Sequence, residues 1–163
     1  GDWSSDVCSS DLALALGTVA PDFTLRNQRG EEVTLSGARG KKVVLMFYPF
    51  AFTRTCTSEL CSLRDRNADF ANDDAEVWSV SCDSPATLKA FADSEGLTHQ
   101  LLSDFWPHGD VSRAYDAFID KIGCSSRVTY VIDREGIIRW SAQSGMGEAR
   151  DDREYVVALG SID

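Results

Sequence analysis

Residues 41–61 read KKVVLMFYPFAFTRTCTSELC, and this stretch decides the fold. Its first part, about residues 43–48, is a near-continuous run of apolar, β-branched and aromatic side chains, which is typical of a fully buried central strand. Pro49 ends that strand because proline cannot donate to the ladder of a sheet. Apolar residues among charges over residues 55–71 then predict an amphipathic helix. The chain therefore runs from a buried strand through a short loop into a helix.

The rest of the chain alternates strand and helix patterns around this stretch. Residues 22–35 alternate in polarity around an NQRG turn and predict a β-hairpin, and residues 76–82 predict the next strand. A helix is predicted from the cap residue Ser84 to the stop at Gly96. A further strand (LTHQLLSD), two helices (GDVSRAYDAF and REYVVALG) and a late hairpin (RVTYVID and IIRWSA) follow. This order predicts an α/β protein with a central mixed sheet, helices on both faces and an N-terminal β-hairpin.

Composition and charge limit the functions that this chain of 163 residues can have. Its length fits one domain, and its formal net charge of −10 argues against binding to nucleic acid, which needs a basic surface. No apolar run reaches the roughly 18 residues of a membrane span, and the acidic start of the chain lacks the positive region of a signal peptide. We therefore expect a cytoplasmic protein with no membrane partner, in which cysteines are more often catalytic, metal-bound or buried than paired in disulfides.

The N-terminal stretch GDWSSDVCSSDLALAL differs from the rest of the chain. It is rich in serine and aspartate without periodicity and then changes abruptly to alanine and leucine, like the translation of a cloning adaptor. We predict that residues 1–16 are non-native or disordered and that the domain comprises residues 17–163. Cys8 is therefore set aside as a functional candidate.

Cys56 is the best candidate for a reactive thiol. The thiolate is the reactive form of cysteine, and helix N-termini and neighbouring cations favour it. Cys56 lies in the first turn of the predicted helix, where unpaired amide groups and the helix dipole favour negative charge. Thr53 could offer a hydroxyl to the sulfur, and Pro49 could shield it from water. The spacing alone leaves open the alternative that Cys56 is a half-buried packing residue and Thr53 a helix cap.

The segment PFAFTRTC fits the Pro-x-x-x-Thr-x-x-Cys active-site motif of the peroxiredoxins, at Pro49, Thr53 and Cys56. The segments VAPDFTL, VSCDSPATLKAFA and LLSD resemble further peroxiredoxin motifs in the same order. SSRVTYVID resembles the strand that carries the active-site arginine, which falls on Arg127. The resemblance covers residues 17–163. It implies a thioredoxin-like fold and a thiol-dependent peroxidase that reduces hydrogen peroxide and organic hydroperoxides, with peroxynitrite as a further candidate.

Two groups of peroxiredoxins share features with this chain. The segments FYPFAFT, LLSDFWPHG with SRAYDAF, and GEARD resemble the alkyl hydroperoxide reductase E group, which is usually described as having one redox cysteine. Cys61 departs from that pattern. Its Cys-x4-Cys spacing from Cys56 resembles instead the Q-type peroxiredoxins (bacterioferritin comigratory proteins), in which the second cysteine resolves the first.

The resemblance also implies a role for each site residue. Cys56 would attack the terminal oxygen of a hydroperoxide, release water or an alcohol, and become a sulfenic acid. Arg127 would favour the thiolate and bind the peroxide oxygens, and Thr53 would orient the thiolate and hydrogen-bond the peroxide. The backbone N–H of Cys56 would stabilise charge on the leaving oxygen. Glu59 would orient the arginine, the alternative being a surface residue beside a favourable helix dipole.

Helix geometry limits how Cys56 and Cys61 could pair. Five residues of an α-helix give a rise of about 7.5 Å and a rotation of about 140°, which separates the two Cα atoms by about 8.6 Å. A disulfide needs Cα atoms within about 7 Å, so the first helical turns must unwind before the two cysteines can bond. We predict that Cys61 resolves the sulfenic acid and that a thioredoxin or glutaredoxin-like protein reduces the disulfide. The alternative is that Cys61 packs as a small hydrophobic residue.

The remaining candidates point to no second chemistry. Cys82 and Cys124 are expected to be packing or loop residues, with Cys124 as a reserve resolving thiol. His99 and His108 lack the spacing of metal ligands, and no glycine-rich phosphate loop is present, so neither a metal nor a cofactor is predicted. The resemblance suggests a homodimer.

Three competing functions are considered. A thioredoxin-type oxidoreductase would need a CxxC pair and would leave Thr53 and Arg127 without a role. A one-cysteine peroxidase would use an external thiol instead of Cys61. A redox sensor that passes oxidation to a partner would use the same reactive cysteine, and turnover with a reductant distinguishes it from an enzyme.

Overall fold

The structure, a computed structural model, describes residues 13–72 and 74–162. Most of the segment 1–16, including Cys8, lies outside these residues, so its non-native origin and the domain boundary at residue 17 stay predictions. The strands are β1 (Thr24–Arg26), β2 (Glu32–Thr34), β3 (Lys42–Phe47), β4 (Ala75–Ser81), β5 (Gln100–Ser103), β6 (Phe118–Ile119), β7 (Cys124–Ser125), β8 (Arg127–Ile132) and β9 (Ile138–Ser144). The α-helices are α1 (Arg54–Asp65), α2 (Asn67–Asn72), α3 (Pro85–Glu95), α4 (Asp110–Ala114) and α5 (Arg153–Gly160).

Seven strands of the described chain form one sheet in the order β2-β1-β5-β4-β3-β8-β9. Strand β3 pairs in parallel with β4 and antiparallel with β8, so the sheet is mixed, as predicted. All six residues of β3 are buried, which confirms the central strand that the apolar run predicts. Strands β1 and β2 pair antiparallel and form the predicted N-terminal hairpin.

The side chains of β3 alternate between two hydrophobic clusters, one on each face of the sheet. Val44 and Met46 pack with buried residues of α1, α3 and α5. Val43, Leu45 and Phe47 pack in the second cluster, which includes Val111 of the short helix α4. Alternate residues of a strand point to opposite faces, so a continuous apolar run feeds both clusters. Helices therefore cover both faces of the sheet, as predicted.

Helix α3 has the ends that its sequence predicts. The Ser84 hydroxyl accepts a hydrogen bond of 3.2 Å from the backbone N–H of Thr87, which satisfies one unpaired amide of the first turn. At the other end, Gly96 adopts the left-handed conformation, with φ of 66°, and closes the helix. Glu95 is thereby fixed as the last residue of α3.

The structure corrects two sequence predictions. The single helix expected over residues 55–71 ends at Asp65, and α2 begins at Asn67 after a turn at Arg66. Arg66 leaves helical geometry, at φ −101° and ψ 13°, and the turn carries Phe70 into the core. The helix predicted for GDVSRAYDAF also stops early, and its last residue, Phe118, lies in β6, which pairs with β7 in a separate small sheet.

None of the helices in the described part of the chain is long and apolar enough to cross a membrane.

Candidate active site

Helix α1 begins beside the end of the central strand and carries Cys56 in its first turn. Thr53 is the N-cap residue, and its carbonyl accepts the first helical hydrogen bond, of 2.9 Å, from the N–H of Thr57. Cys56 precedes Thr57, so its own N–H belongs to the group of amides that have no acceptor within the helix. Its side chain is fully buried and its thiol is not in a disulfide. The first turn therefore holds a buried thiol on a residue whose own N–H has no acceptor within the helix.

Arg127 reaches Cys56 from the neighbouring strand. Strand β8 runs antiparallel to β3, with Thr129 opposite Met46, so the start of β8 lies beside the end of β3. Arg127 is the first residue of β8, and its Nη1 donates to the Cys56 Sγ at 3.4 Å. The guanidinium also donates to the carbonyl oxygens of Gly145, at 3.1 Å, and Met146, at 2.5 Å. Two predicted site residues, distant in sequence, are thus in contact.

Glu59 lies against the same guanidinium. Its Oε1 accepts from Arg127 Nη1 at 2.5 Å, and both side chains are only 2% exposed. The alternative of a surface residue is therefore wrong, because Glu59 is buried one turn after Cys56. Burial alone would raise the pKa of Glu59, but hydrogen bonds and positive charge from Arg150 and the charge of Arg127 outweigh it and hold the pKa below its usual value.

Arg150 is a site residue that sequence reasoning missed. Its Nε and backbone N–H donate to Glu59 Oε2 at 2.8 and 2.7 Å, and its Nη2 donates to Oε1 at 3.0 Å. Its Nη1 donates to the Thr129 hydroxyl at 3.0 Å, which in turn bonds Tyr155. The side chain is 4% exposed. The segment GEARD was part of the resemblance, but nothing in the sequence showed that its arginine folds back onto α1.

The buried side chains of Arg127, Arg150 and Glu59 carry more positive than negative charge. Arg127 and Arg150 bring two buried positive charges, and Glu59 brings one negative charge. Buried charge without a partner is costly, and Glu59 is the carboxylate that both arginines share. The fully buried Cys56 Sγ lies 3.4 Å from Nη1 of Arg127.

Thr53 and Pro49 shape the loop between β3 and α1. The Thr53 side chain is exposed, makes no capping hydrogen bond, and donates from its Oγ1 to the carbonyl of Phe50 at 2.9 Å. Pro49 is buried at the end of the strand. The next residues turn sharply, with Phe52 in the left-handed region at φ 69°, and the N–H of Ala51 donates to Asp83 at 2.8 Å. Thr53 is therefore the N-cap residue by position, but its side chain makes no capping hydrogen bond.

Cys61 lies on the same helix in different surroundings. Its thiol is partly buried and donates to Oε1 of Glu95, at the end of α3, across 3.3 Å. Burial and this hydrogen bond raise the pKa of Cys61. Helix α1 is continuous from Arg54 to Asp65, so the two cysteines are held apart in the form with free thiols.

The remaining cysteines and histidines of the described chain lie outside these hydrogen bonds, although Cys124 interacts electrostatically with Cys56 and Arg127. Cys82 and Cys124 are buried, and burial raises the pKa of both, that of Cys124 to about 11. The Cys82 sulfur bonds Ser125 at 3.6 Å, which fits a packing residue. His99 bonds the Ser79 hydroxyl and His108 the Gly123 carbonyl. Across residues 13–72 and 74–162, no group of three or more His, Cys, Asp or Glu residues is placed to hold a metal ion.

Comparison with known proteins identifies the family. A family model described as the AhpC/TSA family matches residues 16–141. Alkyl hydroperoxide reductase E of Mycobacterium tuberculosis is 48% identical over 150 residues, which cover 91% of this chain and 98% of that protein. The chloroplastic peroxiredoxin Q of Gentiana triflora is 39% identical over 124 residues, which cover 76% of this chain and 56% of that protein.

Solved structures have the same fold. Peroxidoxin BcpB from Mycobacterium tuberculosis superposes with a TM-score of 0.83 at 28% identity, covering 92% of this chain and 99% of its own. The reduced 2-Cys peroxiredoxin of Plasmodium vivax has a TM-score of 0.82 at 28% identity, covering 91% of this chain and 81% of its own. The thioredoxin-like fold and the thiol-dependent peroxidase activity, with a peroxide substrate and a thiol reductant, are thereby confirmed. The chain belongs to the AhpC/TSA family of peroxiredoxins.

Proposed function

We propose that Cys56 is the peroxidatic thiol of this peroxidase and that Arg127 positions both the sulfur and the peroxide. The observation that carries the proposal is the 3.4 Å contact between Arg127 Nη1 and the Cys56 Sγ in a buried site. The planar guanidinium presents several donors at once, which suits the two oxygens of a hydroperoxide better than a lysine would. Hydrogen peroxide and organic hydroperoxides are the proposed substrates.

The chemical step starts from the Cys56 thiolate, because the thiolate is the nucleophilic form of cysteine. The Cys56 thiolate attacks the terminal oxygen of the hydroperoxide, and the S–O bond forms as the O–O bond breaks. The sulfur is oxidised to a sulfenic acid, while the other oxygen leaves as an alkoxide or hydroxide and takes a proton from solvent. Charge develops on that leaving oxygen, where the Cys56 N–H and the Arg127 guanidinium can stabilise it. Thr53 would hydrogen-bond the peroxide from the loop.

Glu59 and Arg150 hold the arginine in place. Arg127 is fixed on one side by the carboxylate of Glu59 and on the other by two backbone carbonyls. Arg150 in turn fixes Glu59 with three hydrogen bonds. These contacts fix the guanidinium in advance, so little reorganisation is needed when peroxide binds.

We propose that Cys61 resolves the sulfenic acid after the start of α1 unwinds. The Cys61 sulfur attacks the sulfenic sulfur of Cys56, a disulfide forms, and the hydroxyl leaves as water. A thioredoxin or glutaredoxin-like dithiol then reduces the disulfide and returns both thiols. Capture of the sulfenic acid by an external thiol is the second candidate route, and the contact of Cys61 with Glu95 favours it. A homodimer stays a prediction from the resemblance, and a cytoplasmic location stays a prediction from the sequence.

Peroxide consumption by the reduced protein, followed after rapid mixing with one equivalent of hydrogen peroxide, tests the assignment. We expect Cys56→Ser to slow the reaction by at least about 10³-fold, because the nucleophile is lost. The matched control Cys61→Ser removes a thiol from the same helix and should leave the first turnover within about twofold. Retention of the rapid reaction in Cys56→Ser, or its loss in Cys61→Ser, contradicts the assignment.

A further inference from the structure

The thiol of Cys61 is held by a carboxylate from another helix. The Cys61 Sγ donates to Glu95 Oε1 across 3.3 Å, and the second carboxylate oxygen of Glu95 accepts from the Ser94 hydroxyl at 3.3 Å. Arg64 of α1 donates from Nη1 to the Glu95 carbonyl oxygen, so a second contact ties the end of α3 to the same turn of α1. Contacts from both helices therefore hold Glu95 next to the Cys61 sulfur.

This contact directs Cys61 away from the reacting sulfur. The two cysteines differ by about 140° in direction around the axis of α1, so they occupy different faces of the helix. Cys56 meets Arg127 on one face, and Cys61 meets Glu95 on the other. Before a disulfide can form, α1 must unwind and the hydrogen bond to Glu95 must also break.

The same contact opposes loss of the thiol proton. A thiolate is the form that attacks in disulfide formation. The charged groups facing Cys61 are Glu95 from α3 and Asp65 and Arg64 from its own helix. Burial and then the hydrogen bond to Glu95 raise the pKa of Cys61, Asp65 adds to the effect, and Arg64 alone opposes it. A carboxylate acceptor holds the proton on sulfur because ionisation would place two negative charges side by side.

We propose that Glu95 is a positioning residue that retains Cys61 as a thiol docked on α3 and so sets how the Cys56 sulfenic acid is shared between Cys61 and external thiols. The inference rests on the proposed resolving role of Cys61. A slow internal step gives the sulfenic acid time to react with an external thiol, which forms a mixed disulfide and releases water. The chain would thus combine the two-cysteine spacing of the Q-type proteins with the behaviour of a one-cysteine enzyme.

The test compares Glu95→Gln with wild type and with Glu135→Gln, which removes the same charge from an exposed turn between β8 and β9. Each reduced protein receives one equivalent of hydrogen peroxide near pH 7 and is quenched with a thiol-blocking reagent over time. Peptide mapping by mass then follows the Cys56–Cys61 disulfide. We expect disulfide formation to be about 3- to 10-fold faster in Glu95→Gln than in the other two proteins, because the repelling charge is lost and the remaining hydrogen bond, to a neutral amide oxygen, is weaker.

A second measurement separates this role from a merely structural one. Alkylation of Cys61 in the reduced proteins, followed by peptide mass as a function of pH, reports its ionisation without peroxide. We expect the profile of Glu95→Gln to shift to lower pH and that of Glu135→Gln to match wild type. Equal disulfide rates, or an unshifted profile, overturn the role of Glu95. If no variant forms the disulfide, the resolving role of Cys61 fails, and the inference fails with it.

Discussion

The two cysteines of α1 are close in sequence but have opposite electrostatic surroundings. Cys56 is fully buried and faces a guanidinium, whereas Cys61 is partly buried and faces a carboxylate. Neither neighbour belongs to α1: Arg127 comes from β8 and Glu95 from α3. The helix supplies the spacing of the thiols, but the tertiary fold decides which charged group each sulfur meets.

The two surroundings should also differ in how strongly substitutions affect stability and activity. Around Cys56, the charges of Arg127, Arg150 and Glu59 are almost entirely removed from water. Around Cys61, Arg64 retains a side-chain exposure of 36%. Burial strengthens electrostatic interactions, so we expect large effects from substitutions in the first environment and small ones in the second.

The largest effect is expected from Glu59→Gln. Removing this charge deprives two buried guanidinium groups of the carboxylate they share, so we expect a loss of about 3–5 kcal/mol in the free energy of unfolding. Denaturant unfolding at neutral pH measures this loss, and Glu135→Gln serves as an exposed control of the same chemistry. A loss no greater than that of the control would show that Glu59 does not hold the cluster together.

The loss of stability in Glu59→Gln should depend on pH. The pKa of Glu59 is lowered in the folded protein, so its contribution to stability is present above the unfolded value near 4.5 and is lost as the pH falls through the lowered folded value. The unfolding free energies of wild type and Glu59→Gln should therefore converge in acid. A gap that stays constant as the pH falls below that range would contradict the ionised state of Glu59.

The next effect concerns the reaction itself. Replacing Arg127 with methionine removes the donor that contacts the sulfur, and we expect the second-order rate constant with hydrogen peroxide to fall by about 10²–10³-fold. Arg127→Lys keeps the charge without the planar fork and should fall in between. Stopped-flow kinetics measure both variants, with circular dichroism as a check on folding. Near-wild-type rates in a folded Arg127→Met protein would remove Arg127 from the mechanism.

A smaller effect is expected at the loop. Thr53→Val removes the hydroxyl that we propose to hydrogen-bond the peroxide, so the rate constant should fall by up to about tenfold, whereas Thr53→Ser should lose less. The comparison is made in the same stopped-flow assay. If Thr53→Val kept the wild-type rate while Thr53→Ser was slower, the methyl group rather than the hydroxyl of Thr53 would be the part that matters.

The site residues that the sequence predicts lie in recognisable local patterns. Pro49, Thr53 and Cys56 form one motif, and Arg127 lies at the start of a recognisable strand. Arg150 lies in no such pattern, because its contact with Glu59 exists only after the segment before α5 folds onto α1. The sequence therefore predicts residues of a local motif, Glu59 among them, better than a residue such as Arg150 that only the tertiary fold brings to the site.

In the fold, too, elements with strong local sequence signals are predicted and elements without them are not. The buried strand β3 and the capped helix α3 have strong local signals, an apolar run and paired end residues, and both were predicted. Strands β6 and β7 are two residues long, which is too short to show a period, and they were missed. The break at Arg66 was missed because the apolar pattern continues through it, while packing of Phe70 requires a change of direction.

The most direct test of the account is a peptide map of the oxidised protein. The reduced protein is treated with one equivalent of hydrogen peroxide, quenched with a thiol-blocking reagent and analysed by mass. We predict that oxidation appears first on Cys56, as a sulfenic acid or as a disulfide with Cys61, while Cys82 and Cys124 remain thiols. An unmodified Cys56 alongside oxidation of another cysteine would contradict the assignment of the peroxidatic residue.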